Sequence, residues 1–154
     1  MKVLIIEDNL HPFATINCKL ALDKRVSKIG IYDYLSNPVT DDMTYFLDKE
    51  DDGHSFELFW VKSYDEFMEM NSDLHSFDLI ILDFELEKDN SKEIAYKLIE
   101  FDFKGEIIPH SSMNEHNDTL RAILNIDTKD FCKTSGQIAY HMIEQFENKQ
   151  KSTI

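Results

Sequence analysis

Four short apolar runs of this chain each lead into a group able to handle phosphate oxygens or a divalent cation. Val3-Leu4-Ile5-Ile6 runs into Glu7-Asp8, and Leu79-Ile80-Ile81-Leu82 into Asp83. Ile107-Ile108 leads through Pro109-His110 to Ser111, and Phe131-Cys132 leads to Lys133. Three carboxylates brought to one place repel one another strongly and need protons or a cation between them. An all-oxygen set of that kind suits Mg²⁺, which takes a few carboxylates, water and a substrate phosphate. A serine hydroxyl and a lysine ammonium facing them could hold the remaining oxygens of a phosphoryl group. With Asp83 as an in-line nucleophile, phosphoryl transfer asks for little else. The product would be an acyl phosphate, labile enough for a reversible signal.

These residues share a site only if the apolar runs are neighbouring strands of one sheet. Continuous β-branched runs mark strands buried on both faces, as in a parallel sheet. Between them lie helical patterns. Leu10, Phe13, Ala14, Leu20 and Ala21 follow the first strand, with Pro12 placed in the first turn, where no backbone donor is needed. Ile94, Ala95, Leu98 and Ile99 mark a later helix that Gly105 is expected to stop. Leu120, Ile123 and Leu124 mark another, and Ile138, Ala139, Met142, Ile143 and Phe146 a last one. Phe56 to Val61 is the remaining strand, and Ser63 followed by Glu66 is a capping-box start for the next helix. Alternating strands and helices call for a parallel sheet covered on both faces, with reactive groups at the carboxyl ends of the strands.

About thirty residues, 24 to 54, exceed what five such units need. Thr44-Tyr45-Phe46-Leu47 is expected to pair with Phe56 to Val61 as an edge hairpin around Asp52-Gly53, with a helical extension near Ile31 to Leu35 as the competing reading. The remainder is one domain, residues 1 to 148, followed by a frayed tail over 149 to 154.

The bulk properties narrow the function classes. The chain has 154 residues, 42% of them hydrophobic, enough for one domain with its own core. A formal net charge of -14 opposes an electrostatic grip on nucleic acid or an anionic membrane. The 2 cysteines, Cys18 and Cys132, make no disulfide framework and are expected as small buried apolar residues in a reducing, cytoplasmic setting. No run is long enough to be a secretion signal or a membrane span. The 6 histidines show no ligand spacing and are expected as surface or core residues; Trp60 and the Phe and Met residues at regular spacing are expected in the core.

Glu7-Asp8-Asn9 after a hydrophobic strand, Leu79 to Asp83, Ser111, and Lys133 22 residues beyond it resemble the response-regulator receiver domain of two-component signalling. The resemblance covers the chain apart from residues 24 to 54. It implies a flavodoxin-like (βα)₅ fold with strand order 2-1-3-4-5. It gives Glu7 and Asp8 the acidic metal-binding pair, with Asp83 and the backbone carbonyl of Glu85 completing the protein ligands. Asp83 becomes the phosphoacceptor, Ser111 the switch hydroxyl and Lys133 the phosphate-contacting lysine. The implied cofactor is Mg²⁺. The implied partners are a histidine kinase or histidine phosphotransfer protein and a downstream protein target, with homodimer formation possible. Such a module is no enzyme beyond its own self-catalysed phosphoryl transfer.

Two positions depart from the family pattern. Thr134 follows Lys133 where the family has proline, and Asp130 stands where an aromatic reports phosphorylation. An output through protein contact is expected, because little sequence follows the last helix. One rival is a degenerate receiver that binds partners without phosphorylation. Another is a metal-dependent phosphoesterase built on Glu7 and the Asp83-Phe84-Glu85 pair, which would lack a glycine-rich phosphate loop.

Overall fold

The computed structural model describes residues 1 to 127 and 134 to 152. Six strands form one sheet: β1 (Lys2–Ile6), β2 (Val26–Asp33), β3 (Leu47–Asp48), β4 (His54–Val61), β5 (Leu79–Leu82) and β6 (Glu106–Pro109). Five α-helices accompany them: α1 (Leu10–Leu22), α2 (Tyr64–Glu69), α3 (Lys92–Glu100), α4 (Asn114–Leu124) and α5 (Ser135–Ser152). A 3₁₀ helix over Asn71–Ser76 joins α2 to β5. The chain is therefore α/β with a mostly parallel sheet; among the described residues only β3 runs antiparallel to its neighbour.

Strand pleat divides the core into two layers. Val3, Ile5, Leu79, Ile81, Phe56 and Leu58 face α1 and α5, meeting Phe13, Ile16, Leu20, Ile138 and Met142. Leu4, Ile6, Ile80, Leu82 and Val61 face the other way, onto Phe67, Ile94, Leu98 and Leu120 of α2, α3 and α4. β1 and β5 are buried on both faces, so apolar residues run through them without alternation.

The sheet order is β3-β2-β4-β1-β5-β6, which differs from the expected 2-1-3-4-5. The difference comes from residues 24 to 54. Val26–Asp33 is a full parallel strand beside β4, with Val26, Ile29 and Ile31 buried, and so is extended rather than helical. Nor does the expected hairpin form. Only Leu47 and Asp48 pair, with Ile29 and Lys28 of β2 rather than with β4. Gly53 serves close approach rather than a hairpin turn: a Cβ there would lie 2.7 Å from the Arg25 carbonyl oxygen. The fifth expected strand, Phe131-Cys132, lies outside the described residues, as does Asp130.

Helix ends follow local chemistry. Asn9 caps α1 by accepting from the His11 N–H at 3.0 Å, and Ser63 caps α2 by accepting from the Glu66 N–H at 3.2 Å. Beyond α3 the chain turns at Asp102, whose φ is 56°, so the stop comes three residues before the expected Gly105. α5 continues through Ser152, turning the start of the expected tail into helix, and Lys149 pairs with Asp78 at 2.6 Å.

Candidate functional site

Ile6 of β1 lies in register with Leu82 of β5, so the next residues, Glu7 and Asp83, leave the sheet side by side. The ladder continues one residue past each strand. The Glu7 N–H donates to the Val61 carbonyl at 2.9 Å, the Asp83 N–H to Ile6 at 2.9 Å and the His110 N–H to Leu82 at 2.8 Å. Trp60 Nε1 donates to the Glu7 carbonyl at 2.6 Å, and the indole stacks on Phe13 of α1. The main chain bearing the acids is thereby fixed to the sheet rather than to a loose loop.

Glu7, Asp8 and Asp83 each place a carboxylate oxygen within 4.8 Å of the other two. Glu7 is 6% exposed, and one of its oxygens accepts from the Asn9 N–H at 3.1 Å. Burial, reinforced by the neighbouring Asp83 charge, pushes the Glu7 carboxyl up to about 9. Burial also raises Asp83, to about 6, against the opposing pull of the Phe84 amide and the Glu7 side chain. Of the two raised carboxyls, Glu7 is the more deeply buried and the one that holds its proton to higher pH. The donors are all hard carboxylate oxygens, a set that could hold a metal ion of the Mg²⁺ type.

The acids open into a cleft of about 620 Å³. Ser111 and Ser112 both line it, but Ser111 is the buried one, at 9% exposure. Asn117 pins its backbone: the Ser111 N–H donates to Asn117 Oδ1 at 2.8 Å, and Asn117 Nδ2 donates to the Ser111 carbonyl at 2.9 Å. Glu85 lies along the same cleft with its carboxylate exposed. The structure thus brings Glu7, Asp8, Asp83, Glu85 and Ser111 to one opening, while Lys133 lies outside the described residues.

Several residues at the site escaped the sequence reading. His116 of α4, expected only as surface or core, stacks on Phe84 with ring centroids 4.1 Å apart and has Nδ1 3.4 Å from Ser111 Oγ. Asn117 carries the serine loop. His11, Thr15 and Lys19 of α1 border the cleft at four-residue spacing, on the face opposite the buried Phe13, Ile16 and Leu20. That polar stripe was visible in the sequence; the reach of His116 and Asn117 back to a serine five and six residues upstream was not.

Neither a protein-family model nor a curated protein matches this chain. Among the described residues, no helix is long and apolar enough to cross a membrane.

Proposed function

We propose that the chain is a cytoplasmic receiver module of two-component signalling that accepts a phosphoryl group on Asp83. The observation that carries this reading is the convergence of the Glu7, Asp8 and Asp83 carboxylates at the ends of two adjacent parallel strands. Glu7, Asp8 and Asp83, with the Glu85 carbonyl, are the proposed protein ligands of Mg²⁺. When bound, that ion would supply the positive charge that draws protons off the acids and offsets the charge of the phosphoryl oxygens.

A carboxylate oxygen of Asp83 attacks the phosphorus of an N-phosphorylated imidazole on the donor protein. The O–P bond forms, the P–N bond breaks, and the leaving imidazole takes up a proton. Glu7 and Asp8 set where the nucleophile sits, because their main chain is fixed to the sheet beside it. Ser111, which lines the cleft, is proposed to donate its hydroxyl to one phosphoryl oxygen, and Lys133 to balance another. A flavodoxin-like fold suits this role: the sheet presents the acids at the carboxyl ends of its central strands. The output would be a change in contact with a downstream protein.

Acetyl phosphate with Mg²⁺ should add one acid-labile phosphoryl group, seen as a mass gain of one phosphate, and Asp83→Asn should abolish it. Label on a histidine or serine would refute Asp83 as the nucleophile. Steady release of free phosphate without a stable adduct would favour the phosphoesterase reading, and no gain at all the phosphorylation-independent binding module.

A further inference from the structure

We infer that His116 is a positioning residue that fixes the rotamer of the Ser111 hydroxyl and so sets how readily it turns to a phosphoryl group on Asp83; this rests on the receiver reading above. Three contacts converge on its ring. One face stacks on Phe84, the residue after Asp83, at 4.1 Å and 17°. Nδ1 lies 3.4 Å from Ser111 Oγ, and Nε2 lies 3.9 Å from Glu85 Oε1. His116 therefore joins the loop after β5, which follows the nucleophile, to the loop after β6, which carries the hydroxyl.

The contact between Nδ1 and Ser111 Oγ is a hydrogen bond for either tautomer of the ring, with Nδ1 accepting from the hydroxyl or its N–H donating to it. Ser111 Oγ already accepts from the Met113 N–H at 3.3 Å. The Met113 N–H and the His116 ring together fix the rotamer of that hydroxyl. Turning it to a phosphoryl oxygen on Asp83 gives up this pair of contacts. Asn117 holds the Ser111 backbone through both its N–H and its carbonyl, which leaves rotation of the side chain as the available movement. His116 thereby sets the cost of engaging Ser111, and its release on phosphorylation frees a ring packed against Phe84.

The test pairs beryllofluoride, a phosphoryl mimic, with His116→Phe, which keeps an aromatic ring over Phe84 and removes the hydrogen bond to Ser111. Beryllofluoride with Mg²⁺ should bind His116→Phe about fivefold more tightly than wild type, the equivalent of one ordinary hydrogen bond. In a Ser111→Ala background the same substitution should change nothing. Equal affinity in wild type and His116→Phe, or a gain that persists without the hydroxyl, would overturn the inference. A second variant, His116→Gln, keeps a hydrogen-bonding group beside Ser111 and should bind beryllofluoride as wild type does; a fivefold gain there would also overturn it. A wild-type protein that takes neither beryllofluoride nor acetyl phosphate would overturn the receiver reading itself, a result separate from either of these.

Discussion

Glu7 is the residue on which the character of the site turns. A carboxyl held protonated at neutral pH marks a place built for more positive charge than the metal-free protein supplies. The ordinary value of 4.5 applies to the unfolded chain, whereas the folded protein holds the proton up to about 9. Below pH 4.5 both states carry the proton and folding bears no penalty. As the pH rises toward 9 the unfolded state loses its proton first, and stability falls. At neutral pH the penalty is on the order of 1–3 kcal/mol. Glu7→Gln should therefore stabilise the metal-free protein at pH 8 and leave it nearly unchanged at pH 4, in paired urea melts. The same variant should lose most of its stabilisation by Mg²⁺, because it gives up an anionic ligand. Equal stability of the two proteins at pH 8 would show that Glu7 carries no such strain.

At the scale of elements, what could be read from the sequence divides at residue 24. β1, β5 and β6 were legible as short apolar runs bounded by polar corners, and with them the placement of Glu7, Asp83 and Ser111. β2 was not, because its pattern breaks: a register irregularity between Val26 and Lys28 sets the large buried apolar side chains at 26, 29 and 31, with Ser27 and Gly30 between them. Conversely, Thr44-Tyr45-Phe46-Leu47 has the composition of a strand, yet Tyr45 and Phe46 stay exposed and no strand lies there to receive them. The segment is instead a strap across the β2 edge. The Val39 N–H donates to the Ile31 carbonyl at 3.0 Å, the Lys49 N–H to Ser27 at 2.8 Å, and Leu47 pairs with Ile29. Covering an edge in this way blocks pairing with another chain. Its anchor is Asn17 of α1, fully buried, which donates to the Tyr45 carbonyl at 2.9 Å and accepts from the Tyr45 N–H. Asn17→Ala leaves both Tyr45 groups without that partner and should cost about 1–3 kcal/mol. Limited proteolysis should then cut within residues 41 to 46 many times faster than in wild type. An unchanged cleavage rate would mean that the strap is held by its contacts with β2 alone.

For the whole molecule, the proposed affinity of the site for Mg²⁺ has to be separated from the chain's excess of negative charge. With 16 basic and 30 acidic residues, mutual repulsion opposes the compact state everywhere on the surface. Any salt relieves part of that by screening, in proportion to ionic strength and without regard to which acids are present. A divalent ion bound at Glu7, Asp8 and Asp83 acts differently, because it stabilises only the folded state, in which those oxygens lie within 4.8 Å of one another. At Mg²⁺ about tenfold above the dissociation constant, the bound state gains about 1.4 kcal/mol. For a domain of this size that raises the melting temperature by roughly 3–5 °C. NaCl at matched ionic strength should give only the screening part. Asp8→Ala removes a site ligand while changing the net charge by one, so it should keep the NaCl response and lose the Mg²⁺ excess. Thermal melts of both proteins in the two salts decide the matter. If Mg²⁺ and NaCl shift wild type equally, or Asp8→Ala retains the excess, the carboxylates are an acidic surface and not a cation site.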